Sequence, residues 1–126
     1  MAKRPSAPVY LNLFRIRFPV GAVTSIAHRM SGVLLFAALP MFIWLFGLSL
    51  RDAAGFDSAA QFLRQGWVRL LLVVLTWSLF HHLFAGIRYL LIDLGIGVSL
   101  PHARGSAWLV NLAALLMAAL CAGCLA

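Results

Sequence analysis

The chain has 126 residues, enough for one domain. Apolar residues make up 63% of it with its ten glycines left out, whereas an average soluble protein reaches roughly 45–50% with glycine counted in. Only ten Lys/Arg and three Asp/Glu are present, so little surface is available to water, which excludes a soluble globule in favour of an integral membrane protein. The net charge of +7 does not signal nucleic acid, because a nucleic-acid binder carries its cations on a soluble face and here they bracket apolar runs.

Residues 1–18 are basic, contain Pro5 and Pro8, and show no periodicity, so they are expected to form a cytoplasmic arm. The uncharged run Met30 to Leu50 extends backwards through a largely apolar Phe18 to Arg29. With Pro19 suited to a first helical turn, it predicts a first span over 19–50. Pro40 falls inside that span, where neighbouring helices in a membrane can satisfy the carbonyl it frees. Arg51 to Gly66 carries Phe56, Ala59, Ala60 and Leu63 among charges and reads as a short amphipathic helix on the membrane. Leu70 to Ile87, interrupted only by His81 and His82, centres a second span over 67–92. Asp93 to Gly105, with Gly95, Gly97, Pro101, His102 and Arg104, reads as a short loop, placing His102 in solvent. The uncharged run Ser106 to Ala126 is a third span over 106–126. Helices of about 20 residues cross a hydrocarbon core of roughly 30 Å, so the fold class is all-α integral membrane with three transmembrane helices. Cys121 and Cys124 share one face of the last span and make neither a disulfide framework nor a complete zinc site.

The cations Lys3, Arg4, Arg15, Arg17, Arg29, Arg88 and Arg104 collect on the N-terminal side, against Arg51, Arg64 and Arg69 on the other. The positive-inside rule then places the N-terminus in the cytoplasm and the C-terminus outside.

Two polar stripes occupy costly positions. On the first helix Gly21, Ser25, Arg29 and Gly32 recur on one face, with His28 and Ser31 alongside; on the second, His82, Gly86, Tyr89 and Asp93 do so. Small residues at such spacing commonly serve helix packing, and an arginine at a span end can snorkel to headgroups. His82 lies roughly 16 Å along the helix from Asp93, too deep for a headgroup. Its neutral imidazole can either hydrogen-bond across helices or ligate a metal, of which haem iron is the one most naturally housed between apolar helices. His81 points about 100° away and competes for the role. A second histidine ligand would come from a partner chain, since His28 is expected near the cytoplasmic edge and mismatched in depth with His82. His28 and Arg29 are better placed to meet haem propionates or a polar ligand head.

The run Arg4-Pro5, then Ile16-Arg17-Phe18-Pro19, then Ser25-Ile26-Ala27-His28-Arg29-Met30-Ser31-Gly32, followed by His82-Leu83-Phe84-Ala85-Gly86-Ile87-Arg88 and Asp93, resembles the cytochrome b556 membrane-anchor subunits of succinate dehydrogenase. The resemblance covers nearly the whole chain and rests on two motifs in order, S-I-x-H-R-x-S-G and H-x-x-x-G-x-R. It implies a four-subunit succinate:ubiquinone oxidoreductase of a bacterial inner membrane, in which a flavoprotein subunit and an iron-sulfur subunit carry the succinate-oxidising chemistry and this chain holds none of it. The three spans would be half of a heterodimeric helix bundle that binds haem b between this chain and a second membrane-anchor subunit. It further implies that His82 is the axial haem ligand, that Ser25 and Arg29 line the ubiquinone site, and that His28, Arg29 and Tyr89 lie near the haem propionates. Tyr89 departs from the pattern, since many members have histidine there; a phenol can donate a hydrogen bond but cannot carry the charge of imidazolium.

The chemistry agrees with that expectation. A guanidinium at Arg29 and a hydroxyl at Ser25, one turn apart, can stabilise negative charge as it develops on a quinone oxygen in a low-dielectric site. The alternatives are a quinol:fumarate reductase anchor, an anchor without cofactor, and a small homo-oligomeric transporter or channel whose histidines gate or relay protons.

Overall fold

The structure, a computed structural model, describes residues 17–125. Most of the expected N-terminal arm, with Lys3, Arg4 and Arg15, therefore lies outside the described residues. The elements are four helices, α1 (Val20–Ser49), α2 (Ala53–Leu63), α3 (Gly66–Asp93) and α4 (Leu100–Leu125), with no strand among the described residues. Of these, α1, α3 and α4 are long and apolar enough to cross a membrane.

Local chemistry sets each boundary. Pro19 sits at the N-cap of α1, one residue before the helix proper, and its carbonyl accepts the Ala22 N–H at 2.9 Å. The helix continues through Pro40. The short helix expected between the first two spans is α2, capped by Asp52, whose carboxylate accepts the Gly55 N–H at 2.6 Å. A side chain on Gly55 would collide with the Leu48 carbonyl, so glycine is what allows α2 to fold back against α1. The end of α3 is a Schellman motif: Gly95 takes φ 79°, its N–H bonds Ile92 O at 2.9 Å, and the Ile96 N–H bonds Leu91 O at 2.9 Å. A second left-handed glycine, Gly97 at φ 73°, completes the reversal.

That reversal takes fewer residues than the sequence suggested. α4 begins at Leu100, so the loop shortens to residues 94–99, and Pro101, His102 and Arg104 belong to a helix. His102 is exposed as expected, but it stands in the first turn of α4 with its Nδ1 2.6 Å from Ser99 Oγ.

The central helix is α3, which packs against both α4 and α1, while α1 and α4 share a smaller contact. The packing is inverted relative to a soluble protein. Phe36 and Ile43 are 76% and 69% exposed, whereas Thr24, Ser31 and Ser78 are fully buried. Ala85, Ala107 and Ala114 are fully buried as well. In lipid the outer surface gains nothing by being polar, and helices associate through small residues that let backbones approach and through hydrogen bonds between spans. The result is a multi-pass helical membrane protein with Thr24, Ser31, Ser78 and His81 buried between its spans.

Candidate functional site

The antiparallel packing of α1 on α3 brings the two polar stripes face to face. The His28 and His82 rings stack, with centroids 4.2 Å apart and planes inclined by 13°. This overturns the expected mismatch in depth. A residue about 12 Å along α1 and one about 16 Å from the end of α3 come level once the helices slide by a fraction of a turn. Gly32 makes the closeness possible. A Cβ on Gly32 would lie 2.9 Å from His82 Cε1, and a Cβ on Gly86 would lie 3.7 Å from His28 Nε2. Gly32 thus admits the His82 imidazole, which a side chain there would strike, whereas at Gly86 an added Cβ would make only ordinary contact with His28.

His82 is held through Nδ1, which lies 3.1 Å from the His28 carbonyl oxygen and 3.4 Å from Ser31 Oγ. A carbonyl can only accept, so Nδ1 carries the proton and Nε2 keeps its lone pair. Nε2 makes no hydrogen bond among the described residues and is not a buried orphan, and the residue is half-buried. A protonated, anchored Nδ1 with an available Nε2 is the arrangement a ligating histidine adopts. Stacked parallel rings cannot direct two lone pairs at one metal from opposite sides, so His28 cannot be a second ligand to the same ion. No cluster of three His, Cys, Asp or Glu able to hold a bare metal ion exists among the described residues.

His81 goes elsewhere. It is 1% exposed and points into the seam of all three spans, where Nε2 lies 3.0 Å from Asn111 Oδ1. The Asn111 amide in turn donates to Thr24 Oγ1 at 3.0 Å, so one asparagine joins α1, α3 and α4. This clasp was not anticipated, because Asn111 is a lone polar residue in an otherwise apolar span.

The Ser25 and Arg29 pair is assembled as its four-residue spacing predicts, with Arg29 Nη2 donating to Ser25 Oγ at 3.3 Å. Arg29 is exposed and Ser25 half-buried. An open hollow of about 260 Å³ runs beside them along Arg29, Met30, Val33 and Leu34. Tyr89 sets its ring edge against His28, centroids 5.3 Å apart, and its hydroxyl is buried without a partner among the described residues.

Arg88, counted from sequence among interfacial cations, is only 8% exposed. Its Nε donates to Ser106 Oγ at 3.0 Å and Nη2 to the Ala103 carbonyl at 2.9 Å, clipping α3 to α4. Asp93, on the same polar stripe as His82, is exposed. Arg88 also lines an open apolar groove of about 810 Å³ between α3 and α4. Cys121 is half-buried and Cys124 exposed, and both are free thiols.

A bundle of three apolar spans, with the His28 and His82 imidazoles stacked between two of them, defines a helical membrane subunit. The chain belongs to the family described as succinate dehydrogenase/fumarate reductase transmembrane subunit, which matches residues 3–121. It is similar to a succinate dehydrogenase cytochrome b556 subunit of Coxiella burnetii, 40% identical over 110 residues that cover 86% of each chain. It is also similar to the cytochrome b556 subunit of Paracoccus denitrificans, 31% identical over 103 residues covering 82% of this chain and 77% of that one. The mitochondrial cytochrome b560 subunit of Mus musculus is 34% identical over 131 aligned residues, covering 99% of this chain and 71% of the mouse protein.

Proposed function

We propose that this chain is the cytochrome b556 anchor of a bacterial succinate:ubiquinone oxidoreductase. In this reading it binds b-type haem through His82 together with a second membrane-anchor subunit, and it contributes Ser25 and Arg29 to the ubiquinone-reduction site. An iron-sulfur subunit and a flavoprotein subunit complete the assembly on the cytoplasmic side, where the excess of basic residues puts the N-terminus. The names of the similar proteins favour succinate oxidation over fumarate reduction or transport.

The observation that carries the reading is the approach of His82 Nδ1 to the His28 carbonyl oxygen, 3.1 Å away. The His28 carbonyl accepts a hydrogen bond from Nδ1–H, so Nε2 is left as a neutral nitrogen donor at a half-buried surface that a partner helix can cover. When bound, the haem would supply a one-electron carrier, held from this chain by His82. His28, stacked on His82 rather than opposed to it, would not hold the same iron, so any further ligand would come from the second membrane-anchor subunit.

For the quinone, Ser25 Oγ accepts from Arg29 and thereby keeps its own proton for donation. Hydroxyl and guanidinium present donors to one quinone carbonyl oxygen, and both strengthen as that oxygen gains electron density. Met30, Val33 and Leu34 provide the apolar flank for the rest of the molecule. Tyr89 contributes by bracing the His28 ring from its edge.

The test is optical. Membranes co-expressing the four subunits are expected to show a reduced-minus-oxidised b-type haem band, and His82→Ala is expected to abolish it while the chain remains in the membrane. A band unchanged in His82→Ala would overturn the assignment.

A further inference from the structure

His82 Nδ1 meets two oxygens, and the second has no role in the reading above. Ser31 is fully buried on α1. Its hydroxyl donates to the His28 carbonyl at 2.8 Å, so the oxygen turns its lone pairs toward Nδ1, 3.4 Å away. The His28 carbonyl and the Ser31 hydroxyl are thus tied to each other and flank one N–H. A single acceptor fixes which nitrogen is protonated; two acceptors side by side also fix rotation of the ring about its Cβ–Cγ bond. The remaining sides of the ring are limited as well. Gly32 lies against Cε1, and the His28 ring covers one face.

We propose that Ser31 is a positioning residue that sets the ring plane in which His82 presents Nε2 to the haem iron. The proposal rests on the reading of His82 as the axial ligand. Ring plane matters because the orientation of an axial imidazole splits the iron d-orbitals and so governs the g-values of the low-spin ferric haem. A serine that merely filled space would leave those values where they are.

The experiment compares native, Ser31→Ala, Ser31→Thr and His82→Ala chains, each co-expressed with the partner subunits and purified as the complex. The readouts are the gmax of the oxidised haem by electron paramagnetic resonance and the rate of haem transfer to excess apomyoglobin. Ser31→Ala is expected to retain haem, to show a displaced and broadened gmax, and to lose haem about tenfold faster, as removal of an outer-shell partner of a ligating histidine does. Ser31→Thr, which keeps the hydroxyl, is expected to return both toward native. A Ser31→Ala complex with native gmax, line width and loss rate overturns the proposal. If Ser31→Ala does not assemble, Ser31→Cys carries the same comparison with a side chain of similar shape and a much weaker acceptor, and a native signal there overturns it equally. Haem retained in His82→Ala removes the ligand reading itself. Haem lost in His82→Ala beside a native signal in the Ser31 variants removes only the role of Ser31.

Discussion

His28 and His82, 54 residues apart in the chain, lie as near-parallel rings 4.2 Å from centroid to centroid, while the main-chain oxygen of the first accepts a hydrogen bond from the ring Nδ1–H of the second. One residue of α1 therefore acts on His82 twice, through its side chain against the ring face and through its backbone at Nδ1. Because the backbone half of this relationship survives substitution of the side chain, replacing His28 tests only the stacking. The tautomer depends on the position of α1 itself.

Helix spacing is where that position is most easily disturbed. A methyl at Gly32 would stand 2.9 Å from His82 Cε1, and the ring, held by its acceptors, has little freedom to retreat. Gly32→Ala is expected to cost about 1–3 kcal/mol through overpacking and to reduce haem content of the purified complex. At Gly86 the nearest atom is 3.7 Å from an added Cβ, an ordinary contact, so Gly86→Ala is expected to leave haem content and thermal midpoint close to native. Thermal melts followed at the haem band distinguish the two.

Quinone chemistry can be separated from succinate oxidation by choice of acceptor. Arg29→Ala removes the guanidinium that polarises Ser25. It is expected to lower succinate-dependent ubiquinone reduction by about 100-fold, the scale on which a charge-stabilising donor acts. Ser25→Ala is expected to act in the same direction to a smaller extent. Transfer to a water-soluble dye taking electrons before the membrane subunits is expected to be unchanged in both, and equal losses with both acceptors would contradict the assignment.

The clasp at Asn111 is predicted to serve stability and not redox chemistry. Asn111→Leu leaves His81 Nε2 without its partner and Thr24 with only its bond to the Val20 carbonyl, and His81 Nδ1 already has no partner among the described residues. The expected cost is about 1–3 kcal/mol, read as a lower thermal midpoint of the complex with the b-type spectrum unaltered. Adding His81→Phe, which removes the stranded imidazole, is expected to recover part of that loss.

Arg88 joins α3 to α4 by two donors of one planar group. Lysine cannot reproduce that fork, so Arg88→Lys is expected to loosen the seam nearly as much as Arg88→Met. Limited proteolysis in the loop of residues 94–99 measures this, and native resistance in both variants would contradict the structural role.

Much of this protein is legible along the chain. Apolar runs interrupted by few charges define three spans, since a bilayer of fixed thickness demands a minimum length of apolar helix and tolerates no unpaired backbone. Gly95 and Gly97 mark the turn after the second span, and the four-residue spacing of Ser25 and Arg29 already implies their contact, because these are local properties of the backbone. The choice between His81 and His82 is not local. Both sit in mid-span, one residue apart, and which of them turns to the core and which to the α1 face depends on how α3 is rotated against two neighbours at once. The level of His28 beside His82, the burial of Arg88 and the reach of Asn111 are likewise products of helix sliding and rotation. Hydrophobic pattern constrains those motions weakly, because lipid is as apolar as the core; the tertiary packing of small residues and inter-span hydrogen bonds decided them.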